Sequence, residues 1–218
     1  MHYICYKMTH ILFFDTETSG LPSTISFNNY HNPSLIHFYD SSRIIEIAYI
    51  ICDKKLNIIK QESFLINNHI KIHNSHIHGI SQELIRKTGV SIKHMLHHLY
   101  MDLIDFNVKS MIGHNVEFDK HVLLSEVFRC KDSIKTRSTD TFIFDSLFVL
   151  LNNKMHFVCT MKLSKKALNL FKFPKLIDLY SSLYDDTEFV QTHRAMSDTI
   201  LCLKVYRKII DHLKKQIC

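Results

Sequence analysis

Two rhythms of apolar and polar positions run along the chain, and the order in which one replaces the other predicts its architecture. Residues 11–14 (ILFF) form an unbroken apolar run that ends in Asp15-Thr16-Glu17-Thr18-Ser19-Gly20, the pattern of a buried strand whose carboxylates emerge at its end. Residues 43–52 (RIIEIAYIIC) and 56–66 (LNIIKQESFLI) are rich in β-branched side chains and separated by Asp53-Lys54-Lys55, which predicts a β-hairpin. Beyond residue 79 the period changes. Ser81 caps a short helix with Glu83 in its first turn, and Met95, Leu96, Leu99, Leu103 and Phe106 recur at helical spacing, predicting a crossover helix over 92–106. A strand over 110–113 then leads through His114-Asn115 into a helix over 118–128, with Val122, Leu123 and Val127 on one side. The pattern continues as a helix over 141–151, a strand over 156–159, a helix over 161–170 and a long amphipathic helix over 195–217.

Residues 23–42 fit neither rhythm. They are rich in Ser, Asn and His, contain Pro33, and read as a loop or insertion of a length usually tied to function or motion. The remaining order, an opening hairpin followed by alternating strands and helices, predicts an α/β fold with a mixed sheet covered by helices on both faces. Active sites in such sheets lie at the carboxyl ends of parallel strands. No repeat or linker divides the chain, so residues 1–218 are read as one domain.

Composition narrows the class. With 46% hydrophobic and 22% charged residues in 218, the chain has the make-up of a globular domain rather than a disordered one, and is long enough to bury a core without metal or disulfide staples. Its formal charge of +6 favours a polyanionic partner, although a membrane surface or simple solubility would account for the same excess. Six scattered cysteines, none in a C-x-x-C pair, suggest reduced thiols in an intracellular compartment. No apolar run approaches the ~20 residues of a membrane span, and residues 1–10 lack a secretory pattern, so a soluble protein is expected. Four glycines, three prolines, no tryptophan and abundant Ile, Lys, Asn and Phe resemble the product of an AT-rich genome such as that of a large DNA virus or a parasite.

The candidate chemistry is carboxylate chemistry. Asp15 and Glu17 stand two residues apart on extended backbone, so both project to one side, where they repel unless they share a cation. Asp119 falls in the first turn of a helix that follows a strand. His193 precedes the final helix, and Asp198 lies in its opening turns. Each segment alone reads first as a solvated turn or a helix-start acid; the three in this order carry more information.

D-x-E, H-N-x-x-F-D and H-x-x-x-x-D in these contexts resemble the DEDDh 3′–5′ exonucleases, the DnaQ-like family that includes the proofreading subunit of bacterial DNA polymerase III. Further matches are residues 15–22 (DTETSGLP), 43–48 (RIIEIA), 78–81 (HGIS), 159–161 (CTM), and 173–176 (FPKL) through Leu179-Tyr180, so the likeness spans nearly the whole chain after Thr9. It implies a ribonuclease H-like, mixed five-stranded sheet. It also implies Asp15, Glu17, Asp119 and Asp198 as ligands of two Mg²⁺ or Mn²⁺ ions, with Asp15 between them, and His193 as general base. Thr18 and Leu21 would hold the 3′-terminal nucleotide, His78 and Ile80 would line the same pocket, and His114 and Asn115 would orient the metal shell or close the turn. The expected reaction is removal of nucleoside monophosphates from a nucleic-acid 3′ end, with single-stranded DNA as partner and RNA as the alternative on the same site. A weakly active, polymerase-associated binding subunit is the reading from another class. Cys159-Thr160 departs from the Asp-Thr of many relatives, and the 23–42 insertion leaves substrate length preference open.

Other features are expected to be structural. His69, His73, His76 and His78 lack ligand geometry or a cysteine partner for zinc. His94 and His98 lie at i, i+4 without an H-E-x-x-H glutamate and read as an exposed helix face. The cations of the second half, Lys162, Lys165, Lys166, Lys172 and Lys175 with Lys204, Arg207, Lys208, Lys214 and Lys215, fit a phosphate track or, on the last helix, ordinary solvation.

Overall fold

The computed structural model describes residues 8–72, 74–133, 139–186 and 192–217. Its strands are β1 (His10–Thr18), β2 (Thr24–Ser26), β3 (Asn29–Tyr30), β4 (Ile44–Cys52), β5 (Ile58–Leu65), β6 (Val108–Gly113) and β7 (His156–Cys159). Helices are α1 (Ser75–His78), α2 (Gln82–Thr88), α3 (Ile92–Asp105), α4 (Val116–Asp132), α5 (Thr139–Val149), α6 (Thr160–Ala167), α7 (Leu176–Tyr184) and α8 (Ala195–Ile217). Five strands form one mixed sheet in the order β5-β4-β1-β6-β7. The β1–β4 and β4–β5 pairs are antiparallel, whereas β6 and β7 join in parallel to the other side of β1.

Strand periodicity divides the core in two. Leu12 and Phe14 of β1, with Ile47, Tyr49 and Ile51 of β4, face the layer built by α3, α4 and α5. Phe13, Ile50 and Cys52 point the opposite way, against α7 and α8. All nine residues of β4 are buried, as expected of a strand covered on both faces. The fold is therefore the expected α/β arrangement, with helices on both faces.

Differences from the sequence reading have local causes. β1 does not stop at residue 14: its pairing with β4 continues through Asp15↔Ala48 and Glu17↔Glu46 to a bulge before Thr18, so both carboxylates stand within the strand. The helix expected over 141–151 begins at Thr139 and ends in a π-helical turn, Leu150–Lys154, and the one expected over 161–170 stops at Ala167. Helix α7 is an element that the predicted pattern lacks.

The 23–42 segment is folded rather than a plain loop. It makes the β2–β3 hairpin and a 3-10 turn, Ile36–Tyr39, whose Tyr39 is fully buried in the α3–α5 layer. Its two ends are laced together by Ser19 N–H to Arg43 O (2.9 Å), Ser41 Oγ to Leu21 O (2.7 Å) and Ser23 N–H to Phe38 O (2.9 Å). A side chain at Gly20 would lie 2.8 Å from Ser41 O, which explains glycine there. Alternation over only two or three residues per strand is too short to show against a Ser- and Asn-rich background.

Candidate active site

Three elements converge at the end of β1. The strand supplies Asp15 and Glu17, the first turn of α4 supplies Asp119, and the first turn of α8 supplies Asp198. Oxygens of Asp15, Glu17 and Asp198 all lie within 4.8 Å of one another. Asp119 stands beside this trio, its Oδ1 accepting from both the N–H (3.1 Å) and hydroxyl (2.7 Å) of Thr16, the residue between the two β1 acids. That arrangement locks the fourth carboxylate to the strand bearing the first two.

Crowding dominates the electrostatics. Burial, then the charges of Asp119, Asp198, Glu17 and Glu46, drive the Asp15 carboxyl well above its ordinary range. Burial with Asp198, Glu46 and Asp119 lifts Glu17 to about 8, against a weaker opposing pull from Arg194. Asp119 is pushed to about 7 by burial, although its bonds from Thr16 oppose the shift. Such an all-oxygen set, repelling itself and sheltered from water, fits a hard divalent cation.

Arg194 relieves the repulsion only weakly, because its hydrogen bonds are made elsewhere. Its Nε and Nη2 donate to both oxygens of Glu46 at 2.6–3.1 Å, and the Ala195 N–H adds a bond of 3.0 Å to the same carboxylate. Glu46 is 1% exposed and sits opposite Glu17 in the β1–β4 register. Thr199, fully buried, donates to Ala48 O at 3.3 Å and to Ala195 O at 2.7 Å. Together these contacts seat the start of α8 on β4 and so fix Asp198. Glu46 and Arg194 both lie within the motif segments, but nothing in their spacing pairs them. A second clamp, Arg43 to the fully buried Glu126 at 2.7 and 2.9 Å, holds α4 against the start of β4.

The other expected residues fall in varied places. His193 is exposed immediately before α8, in a left-handed conformation (φ 46°) that is uncommon outside glycine. Leu21 is 77% exposed and therefore outside the core, while the hydroxyl of Thr18 donates to Gly20 O at 2.7 Å. Ile80, read as a pocket residue, is 0% exposed among Ile45 and Ile85, so it packs as core; its single apolar side chain finds a neighbouring apolar cluster. His78 is buried, with Nδ1 accepting from Ile80 N–H at 3.1 Å.

His114 braces the opposite wall. Its Nε2–H donates to Pro174 O (3.0 Å), which leaves Nδ1 to accept from the Thr160 hydroxyl at 3.0 Å. Burial lowers its pKa to about 4, partly countered by the Pro174 bond, so the ring is neutral in ordinary buffers. Asn115 caps α4 through its left-handed backbone (φ 64°) and lines a pocket of about 410 Å³ together with Asp15, Asp198, Phe27 and Phe173. The pocket's aromatic residues were not among the expected site residues.

Among the described histidines, those of the 69–78 stretch form no ligand group; His73 lies outside the described residues. His98, expected on an exposed face, instead joins Glu62 and Asp102 in a second group with oxygens and nitrogen within 4.8 Å. On α8, Lys204 and Lys208, expected on a phosphate track or as solvated charges, lie over the rings of Tyr180 and Tyr184 at 5.3 and 4.7 Å. No described helix is long and apolar enough to cross a membrane.

Residues 12–206 match the family model described as Exonuclease. The chain belongs to this exonuclease family. The solved structures it is similar to share its fold. Exonuclease X in complex with 5′-overhanging duplex DNA superposes with a TM-score of 0.57 at 19% identity, covering 92% of this chain and 91% of that one. E. coli exonuclease I in complex with a dT13 oligonucleotide gives a TM-score of 0.65 at 18% identity, over 96% of this chain and 42% of that one. Among curated proteins, exonuclease DPD1, chloroplastic/mitochondrial, of Arabidopsis thaliana is 26% identical over 151 residues. That match takes in 66% of this chain and 44% of the relative, so less than half of the relative's length is represented. The mixed five-stranded sheet with its helices matches the ribonuclease H-like fold of these neighbours.

Proposed function

We propose that this exonuclease shortens single-stranded nucleic acid, DNA in preference to RNA, from the 3′ end and releases nucleoside 5′-monophosphates. The reading is carried by one observation: Asp15, Glu17 and Asp198 meet within 4.8 Å, with Asp119 tied to the same strand and Arg194 already spent on Glu46. In this reading the four carboxylates hold two Mg²⁺ or Mn²⁺ ions. Such ions, when bound, supply Lewis acidity at the scissile phosphate and lower the pKa of water.

The chain's own residues do the rest. A ring nitrogen of His193 takes a proton from the water that attacks phosphorus, the P–O3′ bond breaks, and the departing 3′ oxygen is protonated from solvent. Its exposed position before α8 lets the imidazole reach a phosphate that arrives from outside. Thr18 and Leu21 hold the terminal nucleotide, and His78 and Asn115 shape the surrounding wall. Family neighbours solved with DNA support DNA as the substrate. A polymerase or other replication partner fits the same chemistry.

The test uses matched 5′-labelled single-stranded DNA and RNA with Mg²⁺, Mn²⁺ or EDTA. A metal-dependent ladder that shortens from the 3′ end, strongest on DNA and absent from Asp15→Asn, is expected. A faster RNA ladder would reassign the substrate, and tight binding without cleavage would favour an accessory binding subunit.

A further inference from the structure

The pocket that holds Asp15 and Asp198 opens between two phenylalanines contributed by unrelated parts of the chain. Phe27 sits at the tip of the β2–β3 hairpin, and Phe173 lies in the connection between α6 and α7. Their ring centroids are 6.3 Å apart with planes tilted by 31°, within the range of interacting aromatic pairs. Both remain open to solvent, Phe27 at 76% and Phe173 at 42%. Core packing does not account for aromatic side chains so placed.

Each ring is carried on a braced support. Tyr30 of the hairpin packs on Phe118 and His121 of α4, at 6.4 and 5.1 Å between centroids, and Tyr39 anchors the other end of the insertion. Phe173 is backed by Pro174, whose carbonyl accepts from His114, and Lys165 Nζ lies 4.5 Å from its ring centroid. Lys175 lines the same pocket. Aromatic faces flanked by lysines beside an acidic centre match one ligand chemistry, a nucleobase with its phosphodiester.

We infer that Phe27 and Phe173 form a stacking platform for a nucleobase at the 3′ end, so that residues 23–42 act as a substrate-selecting element. This rests on the reading of the site as an exonuclease centre. Stacking accepts any base, because every base has a π-face, so the platform selects for a freed strand rather than a sequence. A paired terminus must first leave its own stack, which costs a few kcal/mol. The platform therefore disfavours blunt duplex ends.

The experiment uses the full chain and a single-stranded DNA carrying 2-aminopurine at its 3′ terminus, in EDTA so that cleavage is off. Binding to the wild type is expected to quench the fluorophore, and Phe27→Ala and Phe173→Ala are expected to lose the quench and bind roughly 5- to 160-fold more weakly, corresponding to ~1–3 kcal/mol per stacked base. Phe27→Trp should restore both. Removing the terminal base should weaken binding to the wild type but leave the alanine variants unaffected. Equal quenching by wild type and alanine variants, or no quench in the wild type, overturns the platform. Cleavage assayed separately with Mg²⁺ distinguishes the two readings: quenching without cleavage refutes the exonuclease centre and leaves the platform standing, whereas cleavage with unchanged variants does the reverse. Thermal unfolding of the variants checks their fold, and Phe27, being exposed, should tolerate substitution.

Discussion

Two groups of three metal-competent side chains occur among the described residues, and they differ in what sits between them. Glu62, His98 and Asp102 surround the Lys60 ammonium, which lies 2.8 Å from each Asp102 oxygen, 3.1 Å from Glu62 and 3.3 Å from His98. Tyr49 donates a further bond of 2.6 Å to Asp102. Although partial burial pulls the other way, these bonds hold the Lys60 pKa above its ordinary value, so the cation is permanent. Asp15, Glu17 and Asp198 have equal ligand count and similar closeness, but Arg194, which pulls on Glu17, is itself bound to Glu46, and the Asp15 and Glu17 carboxyls keep their protons to abnormally high pH. Ligand count thus says little. A carboxylate group becomes a candidate catalytic centre when the fold withholds the countercharge that a structural cluster would contain.

That contrast can be broken most severely at its acids. Asp15→Asn should abolish metal-dependent cleavage while the chain stays folded, and Asp102→Asn should leave cleavage at the wild-type rate but lower thermal stability; the labelled-strand assay and a melting curve check both. The imidazoles offer a second paired test. His193→Ala is expected to slow single-turnover cleavage about 10²–10⁴-fold, whereas His98→Ala should have no effect on it.

The Glu46 clamp gives a third. Arg194→Met leaves a buried carboxylate next to Glu17, and a loss of roughly 2–3 kcal/mol is expected, below the ~3–5 typical of fully buried pairs because the arginine is partly exposed. For a chain of this size each kcal/mol moves Tm by ~2–4 °C.

Protons and metal should compete only at the first group. The folded chain keeps protons on Glu17 up to about 8 and on Asp119 up to about 7, whereas the unfolded chain has released them by about pH 4.5. Unfolding therefore releases protons across this window, and metal-free stability falls as pH rises from about 4.5 toward 8. Added Mg²⁺ should raise Tm more at pH 8 than at pH 6, with no increment in Asp15→Asn. An equal increment at both pH values would contradict the repulsion argument. The smallest effect is the most pointed: Lys60→Ala should give the second group a Zn²⁺-dependent rise in Tm that the wild type lacks there, read against a His98→Ala background.

Much of this was legible in the order of residues. Asp15 and Glu17 announced themselves by spacing, and Asp119 and Asp198 by standing in first helical turns. The sheet followed from apolar runs at β4, β5 and β6. What stayed hidden was pairing across distance: nothing local says that Glu46 meets Arg194 or that Lys60 meets Asp102, because each partner alone is an ordinary charged residue. His98 departs from the expected exposed face for that reason, its partners Lys60 and Glu62 coming from β5 rather than from α3. Phe27 escaped notice because an aromatic side chain in a polar loop carries no period, and Ile80 was assigned to a pocket that neighbouring β4 and α2 had already closed.

The seating of α8 has a bearing on quality control. This helix brings Asp198, carries the Arg194 clamp, adjoins His193 and buries Leu201, Cys202, Leu203, Val205 and Ile209 against the sheet. A molecule that has peeled away only this segment loses one of the clustered carboxylates, a brace and the footing of His193 at one stroke. On the proposed function, partial damage by heat or a protease would then yield an inert protein rather than a loosened, indiscriminate nuclease.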